Sequence, residues 1–242
     1  MNRGVSANAG ANRLLDALPV GEGRRLRRAL SPVFLEIETV LFEAGEPIAF
    51  VDFPRNCVVS LLTSFQEGAS VEVASIGNEG IVGVPMRPGG SLAFRAVSSV
   101  AGWVDRMDAA TFLDEIKADP HLHEVVDDYV RAFFGEIAQA AACNRLHSNE
   151  ERLSRWLLMS QDRVGTDEFA ITHEFLGQIL GSRRATVTLS AESLRAAGLI
   201  SYHRGRVTII DRTGLEAVAC ECYRSITSEL DSVVRRAHRS GP

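Results

Sequence analysis

Arg183, Arg184, Thr186 and Thr188 stand close together, with no acidic residue before Glu192. A guanidinium presents a fork of N–H donors that can bridge phosphate oxygens or grip the edge of a guanine, and a hydroxyl can donate to phosphate. A second basic group, His203, Arg204 and Arg206, follows shortly afterwards. Such a set suits a polyanion with readable base edges, provided that rigid elements hold it on one side of the molecule.

The surrounding residues 171–200, ITHEFLGQILGSRRATVTLSAESLRAAGLI, supply those elements. Thr172 can cap a first helix by accepting from an unpaired amide of its first turn, and Glu174 complements the positive helix end. Leu176, Ile179 and Leu180 form an apolar stripe, and Gly181 permits the chain to reverse. The spacing predicts a second helix over residues 182–197 with Val187, Ala191 and Leu194 facing inward, ended by Gly198 in a left-handed conformation. An ordinary solvated helical hairpin would share this amphipathicity. What favours a groove-binding unit is the sequel: Leu199, Ile200 and Tyr202 lead to Arg204-Gly205, and Val207, Ile209 and Ile210 resume a strand pattern. A helix-turn-helix followed by a β-hairpin tipped with His203, Arg204 and Arg206 is a winged helix.

A formal net charge of -5 over 242 residues argues against indiscriminate polyanion binding and leaves a local basic surface as the means of recognition. No apolar run approaches the roughly 20 residues that span a bilayer, and the start lacks a signal segment. A cytoplasmic location with no membrane partner is therefore expected. Cys57, Cys143, Cys220 and Cys222 form neither a CxxC pair nor a zinc-finger spacing and read as reduced structural thiols. On the helix expected across residues 213–239, Cys220 and Cys222 would point to different sides.

Residues 1–12 are small and polar and read as a disordered tail. A β-rich unit over residues 13–120 is expected from short strand-like runs at 36–42, 50–53, 58–63, 69–76 and 94–107, after a start in which Leu14, Leu15 and Leu18 precede Pro19 and then Leu26, Ala29 and Leu30 alternate with Arg24, Arg25, Arg27 and Arg28 in helical fashion. Pro120 is expected to break a short helix. A long helix over 121–145 follows, with Leu122, Val126, Tyr129, Phe133, Ile137, Ala140 and Asn144 forming a stripe for a partner helix, and Val125, Val130 and Phe134 turned to the β-rich unit. The winged helix spans 146–212, and 213–242 is a helical extension.

This order of parts resembles the cAMP receptor protein and fumarate-nitrate regulator (Crp/Fnr) family of bacterial transcription factors, most specifically in the Leu-Gly-Gln-Ile-Leu-Gly core and the Ala-Gly-Leu-Ile exit into the wing. The resemblance implies an α+β protein: an N-terminal cyclic-nucleotide-binding-like β-roll (jelly roll), a long dimerisation helix and a C-terminal winged helix-turn-helix. It implies a homodimeric regulator that binds double-stranded DNA in a sequence-specific way and, if an activator, contacts RNA polymerase. The family's base-contacting arginine falls on Arg184, with Arg183 and Thr186 facing phosphates. Ala185 stands where glutamate is common and Leu189 where arginine is common, so the half-site is expected to differ from the usual one.

For the effector, Glu79 lies near the place of the family's ribose-binding glutamate, and Arg87 and Ser91 are the other candidates. The family's phosphate-binding arginine falls on Gly90, which leaves cyclic-nucleotide binding without its cation and the cofactor unnamed. No cysteine precedes Cys57, so an N-terminal iron-sulfur cluster is not expected, and His121, His123 and His147 carry no haem motif. No catalytic or metal-ligating residue is assigned. Two other readings are a sensory protein-interaction module with a vestigial winged helix, and a cupin-like small-molecule enzyme; residues 33–107 contain no histidine, which disfavours the enzyme.

Overall fold

A computed structural model of the chain describes residues 10–66, 69–84 and 88–239. Residues 1–9 of the expected tail, and Arg87, lie outside them. The tail does not extend to Asn12. Its side chain is buried, caps α1 (Arg13–Ala17) by accepting from the Leu15 amide, and donates to the carbonyls of Pro54 and Gly80. Helix α2 (Val20–Ala29) follows, and two of its arginines are held by acids: Arg25 by Glu115 and Asp119, Arg27 by Asp16.

Seven strands form the β-rich unit: β1 (Ser31–Leu35), β2 (Val40–Phe42), β3 (Phe50–Pro54), β4 (Val58–Ser64), β5 (Ser70–Ile76), β6 (Arg95–Val100) and β7 (Gly102–Asp108). They make two antiparallel sheets, ordered β1-β7-β3 and β2-β6-β4-β5. Two expected strands are corrected. The run 36–42 turns at Glu38, whose φ of 64° suits a bend and whose amide donates to the Ser98 carbonyl, so only its second half is a strand. The run 94–107 breaks at Ala101, because β6 and β7 belong to different sheets. Val51, Phe53, Val58, Leu61, Val104 and Met107 are buried, and β4 is buried on both faces from Val58 to Leu62, with its register shifting at two points along the strand.

Helix α3 (Ala109–Ala118) leads to α4 (Pro120–Leu146). Pro120 starts α4 rather than merely ending α3, since a first-turn residue needs no amide hydrogen; Asp119 accepts from the amides of His121 and Leu122. The faces of α4 differ in part from the expected assignment. Val125 is buried and Val130 packs on the core as expected, but Leu122, Val126 and Tyr129 are buried within this chain as well, the Tyr129 hydroxyl donating to the Ile81 carbonyl, whereas Phe134 is 72% exposed. Periodicity located the stripe but could not say which side the β-rich unit would cover.

The chain turns at His147 and Ser148 into α5 (Asn149–Val164), where Ser148 and Glu151 form a reciprocal capping box. Then come β8 (Glu168–Ala170), α6 (His173–Leu180), α7 (Arg184–Ala196), β9 (Ile200–His203) and β10 (Arg206–Ile209), with the three strands ordered β8-β10-β9. The C-terminal run is not one helix but two, α8 (Arg212–Val218) and α9 (Cys222–Arg239). Helix α9 returns antiparallel along α4: Gln139 donates to the Cys222 sulfur near one end, and Arg236 pairs with Asp128 near the other.

Candidate nucleic-acid interface

Helix α6 is capped by Thr172, whose hydroxyl accepts from the Phe175 amide at 3.1 Å, as its position in the sequence requires. Gly181 ends the helix with φ of 58°, and Gly177 lets the turn close: a Cβ there would sit 2.9 Å from the Ser182 carbonyl oxygen. Helix propensity alone predicts that Gly177→Ala would stabilise the protein by about 1 kcal/mol. The close approach of backbone reverses the sign. A loss of about 1–3 kcal/mol is expected from overpacking, read as a lower denaturant midpoint for the variant.

Val187, Ala191 and Leu194 are buried under α7, which turns the other face outward. Helix α7 starts at Arg184, slightly later than the spacing suggested, with Arg183 at its N-cap. Arg183, Arg184 and Arg204 are exposed and pair with no acid among the described residues. The N-terminus of α7 adds its own positive end to Arg183 and Arg184, which favours an anion at that point. Thr186 is half-buried beside them. Leu189 is 67% exposed on the same outward face, an unusual place for a large apolar side chain.

Two of the expected contact residues are engaged within the protein. The Thr188 hydroxyl donates to the Arg184 carbonyl at 3.0 Å and so has no second proton to give; His173 Nδ1, 3.0 Å away, must donate to it. Thr188 therefore braces the two helices rather than reaching outward. Burial and the nearby Arg184 charge push His173 below its ordinary value, which keeps the ring neutral. His173 also stacks on Tyr202 with ring centroids 4.2 Å apart, and the Tyr202 hydroxyl donates to the Ile171 carbonyl. These contacts lock the wing to the helix pair, a role that a lone histidine in the sequence did not announce.

In the wing, Arg204 and Gly205 both have positive φ and form the turn between β9 and β10. His203 and Arg204 project at that tip, exposed. Arg206 instead pairs with Glu168 at 2.6 Å, an exposed ion pair of the kind that contributes little and yields readily to a competing phosphate.

Residues 151–218 match the family model of the Crp-like helix-turn-helix domain. Among solved structures, FixK2 from Bradyrhizobium japonicum superposes with a TM-score of 0.67 at 14% identity, covering 79% of this chain and 98% of that one. TTHB099, a CRP-family transcriptional regulator from Thermus thermophilus, gives 0.62 at 18% identity over 78% and 96%. The chain has the fold of a Crp/Fnr regulator. A third such structure, the c-di-GMP responsive global regulator CLP from Xanthomonas campestris, gives 0.61 at 13% identity over 79% and 99%. No curated protein sequence matches the chain.

The Crp/Fnr fold is shared here without a fitted cyclic-nucleotide site among the described residues. Glu79 is turned inward, where its carboxylate accepts from Arg163 Nε at 2.9 Å and from the Gly77 amide at 3.2 Å. Gly90 supplies no cation, and its carbonyl accepts from the Ile48 amide. Ser91 is exposed and bridges to Pro47, while the cavity that Glu79 lines is bounded by Arg13, Asp162, Tyr223 and Asp231. Glu79 and Ser91 are thus not brought to one pocket, and Glu79 already has its partner.

That partner joins the two halves of the molecule. Arg163, on α5, donates to Glu79, to the Ser75 hydroxyl and to the Ser75 carbonyl, both at 2.7 Å, and lies 3.9 Å from Glu136 of α4. Nearby, Trp156 donates to Glu72 of β5, which also accepts from Ser60. No local pattern in the sequence marks this seam, because its members are spread across β4, β5, α4 and α5.

Proposed function

We propose that the protein is a cytoplasmic, homodimeric transcriptional regulator that reads double-stranded DNA with α7 and the β9–β10 wing. The observation that carries this reading is the placement of Arg183, Arg184 and Arg204, unpaired with acid among the described residues, on one Crp-like helix-turn-helix domain. Arg184 would read a base edge in the major groove. Arg183, Thr186, His203, Arg204 and a released Arg206 would hold phosphates. A mobility-shift titration of the full chain against genomic fragments, repeated at several salt concentrations, tests it: specific complexes with a steep salt dependence are expected, and uniform weak binding to all fragments would support the protein-interaction reading instead.

The second copy is expected on α4. Phe134, Ala138, Ala142 and Leu146 are exposed at four-residue spacing on this 27-residue helix, and α9 leaves that side uncovered. A matching helix would bury an apolar ridge that water otherwise covers. Phe134→Glu should shift the sedimenting species from dimer to monomer and weaken DNA binding in parallel; a dimer unaffected by this change would place the interface elsewhere.

Signal transfer would pass through the β4–β5 hairpin. Ala69 and Ser70 face Arg183 and Arg184 across a cleft of about 320 Å³, and Val71 packs against the Gly181 turn. An effector or partner that favoured another position of this hairpin would change how freely the start of α7 meets a phosphate backbone.

A further inference from the structure

Three cysteines and a histidine that the sequence scatters are gathered where α4 ends. Cys143 and His147 lie one turn apart at the C-terminus of α4, and Cys220 and Cys222 flank the start of α9. The expectation that Cys220 and Cys222 diverge on one helix fails for a simple reason: Cys220 lies in the non-helical link after α8, so both sulfurs can face Cys143. All four donor atoms lie within 4.8 Å of one another, with Cys143 and Cys220 sulfurs 3.6 Å apart and the Cys222 sulfur 3.7 Å from His147 Nδ1.

We propose that Cys143, His147, Cys220 and Cys222 form a tetrahedral Cys3His zinc site that clamps the end of α4 to the start of α9. Zinc–sulfur bonds of about 2.3 Å place tetrahedral sulfurs about 3.8 Å apart, close to the 3.6 Å between the Cys143 and Cys220 sulfurs. Thiolate and imidazole donors in this arrangement select zinc over hard cations, which require oxygen. An iron-sulfur cluster spreads its protein ligands over several irons and would require a wider set of donors.

The surroundings are those of a metal site rather than of packed thiols. With Nδ1 turned to the sulfurs, His147 Nε2 lies 3.2 Å from a Glu221 carboxylate oxygen, the outer partner that fixes the ring and its tautomer. Gln139 donates to the Cys222 sulfur at 3.0 Å. Three thiolates and one zinc ion leave one negative charge. Arg152 and Arg155 of α5 are both buried, both act on the Cys143 charge, and both have a buried Nε without a partner. Because His147 also caps α4 at its turn into α5, the metal would hold the junction through which the two halves communicate.

The test uses the full chain, reduced and stripped by chelator, then titrated without oxygen. About one zinc per chain by elemental mass spectrometry is expected, and cobalt in its place should give tetrahedral ligand-field bands with a thiolate charge-transfer band. Cys220→Ser and His147→Ala should lose or shift those bands, while Glu221→Gln, which removes no ligand, should keep them and weaken zinc affinity about 10–100-fold. Failure of the reduced, folded wild-type chain to take up either metal would overturn the proposal. So would a Cys143–Cys220 disulfide in protein isolated without reductant and unreactive to zinc, or a native iron-sulfur chromophore.

Discussion

Arg163→Met is expected to destabilise the folded chain by about 3–5 kcal/mol, the usual consequence of removing one member of a buried ion pair. The Arg163 side chain is 4% exposed and those of Glu79 and Glu136 are 7% and 3% exposed, so water cannot replace the lost guanidinium. Ser75 would lose partners at both its hydroxyl and its carbonyl as well. Glu136 gives this prediction a pH signature. Burial, opposed by the Arg163 charge, pushes its carboxyl from an ordinary 4.5 up to about 7. A group that holds its proton more tightly when folded contributes stability that is complete below about pH 4.5 and is lost as the pH rises through about 7. The Arg163→Met loss should therefore be larger at pH 8 than at pH 5, and Glu136→Gln should flatten the wild-type dependence across that window. Guanidinium denaturation at the two pH values checks both; a loss below about 1 kcal/mol at pH 8 would remove Arg163 as the tie between α5 and the β-rich unit.

Arg184→Ala is expected to cost about 1–3 kcal/mol on the preferred DNA site and to relax selection at one base position in each half-site. Arg204→Ala should behave differently. A wing residue on a phosphate weakens all sequences alike and reduces the salt dependence by about one counterion. The pair of variants thus separates reading from holding. Leu189 offers a gain to test as well, since its exposed side chain can touch a thymine methyl but cannot donate: Leu189→Arg should add preference for guanine at the position it faces. Competition binding with singly altered sites measures all three.

The helix-turn-helix and its wing were legible in the sequence because their signals are local. Thr172, Gly181 and the stripe through Val187, Ala191 and Leu194 each act over one or two turns, and each took its expected place. Strand positions were legible where short apolar, β-branched runs are bounded by turn residues, as in β3, β4 and β5, and were blurred at Glu38 and Ala101, where the chain bends or changes sheet. Helix α4 was visible by period, but the side it turns to its own core depends on β5, the Ile81 carbonyl and α9, which lie far away in sequence. For the same reason the sequence does not show that His173 and the Arg184 carbonyl use the Thr188 hydroxyl. The Glu79 carboxylate, a candidate for a ligand by its place in the sequence, belongs to Arg163, 84 positions away. The cysteine–histidine group joins residues 77 positions apart and shows no spacing rule along the chain.

Reading of DNA through paired copies of α7 would leave a footprint of its own. Selection of bound fragments from genomic DNA by the full-length protein, followed by footprinting of the enriched sites, tests it most directly. Two inverted half-sites about 34 Å apart are expected, protected together and lost together in Phe134→Glu, with one position in each relaxed by Arg184→Ala. Enrichment of no sequence across the salt range, or protection of a single half-site by wild-type protein, would contradict it.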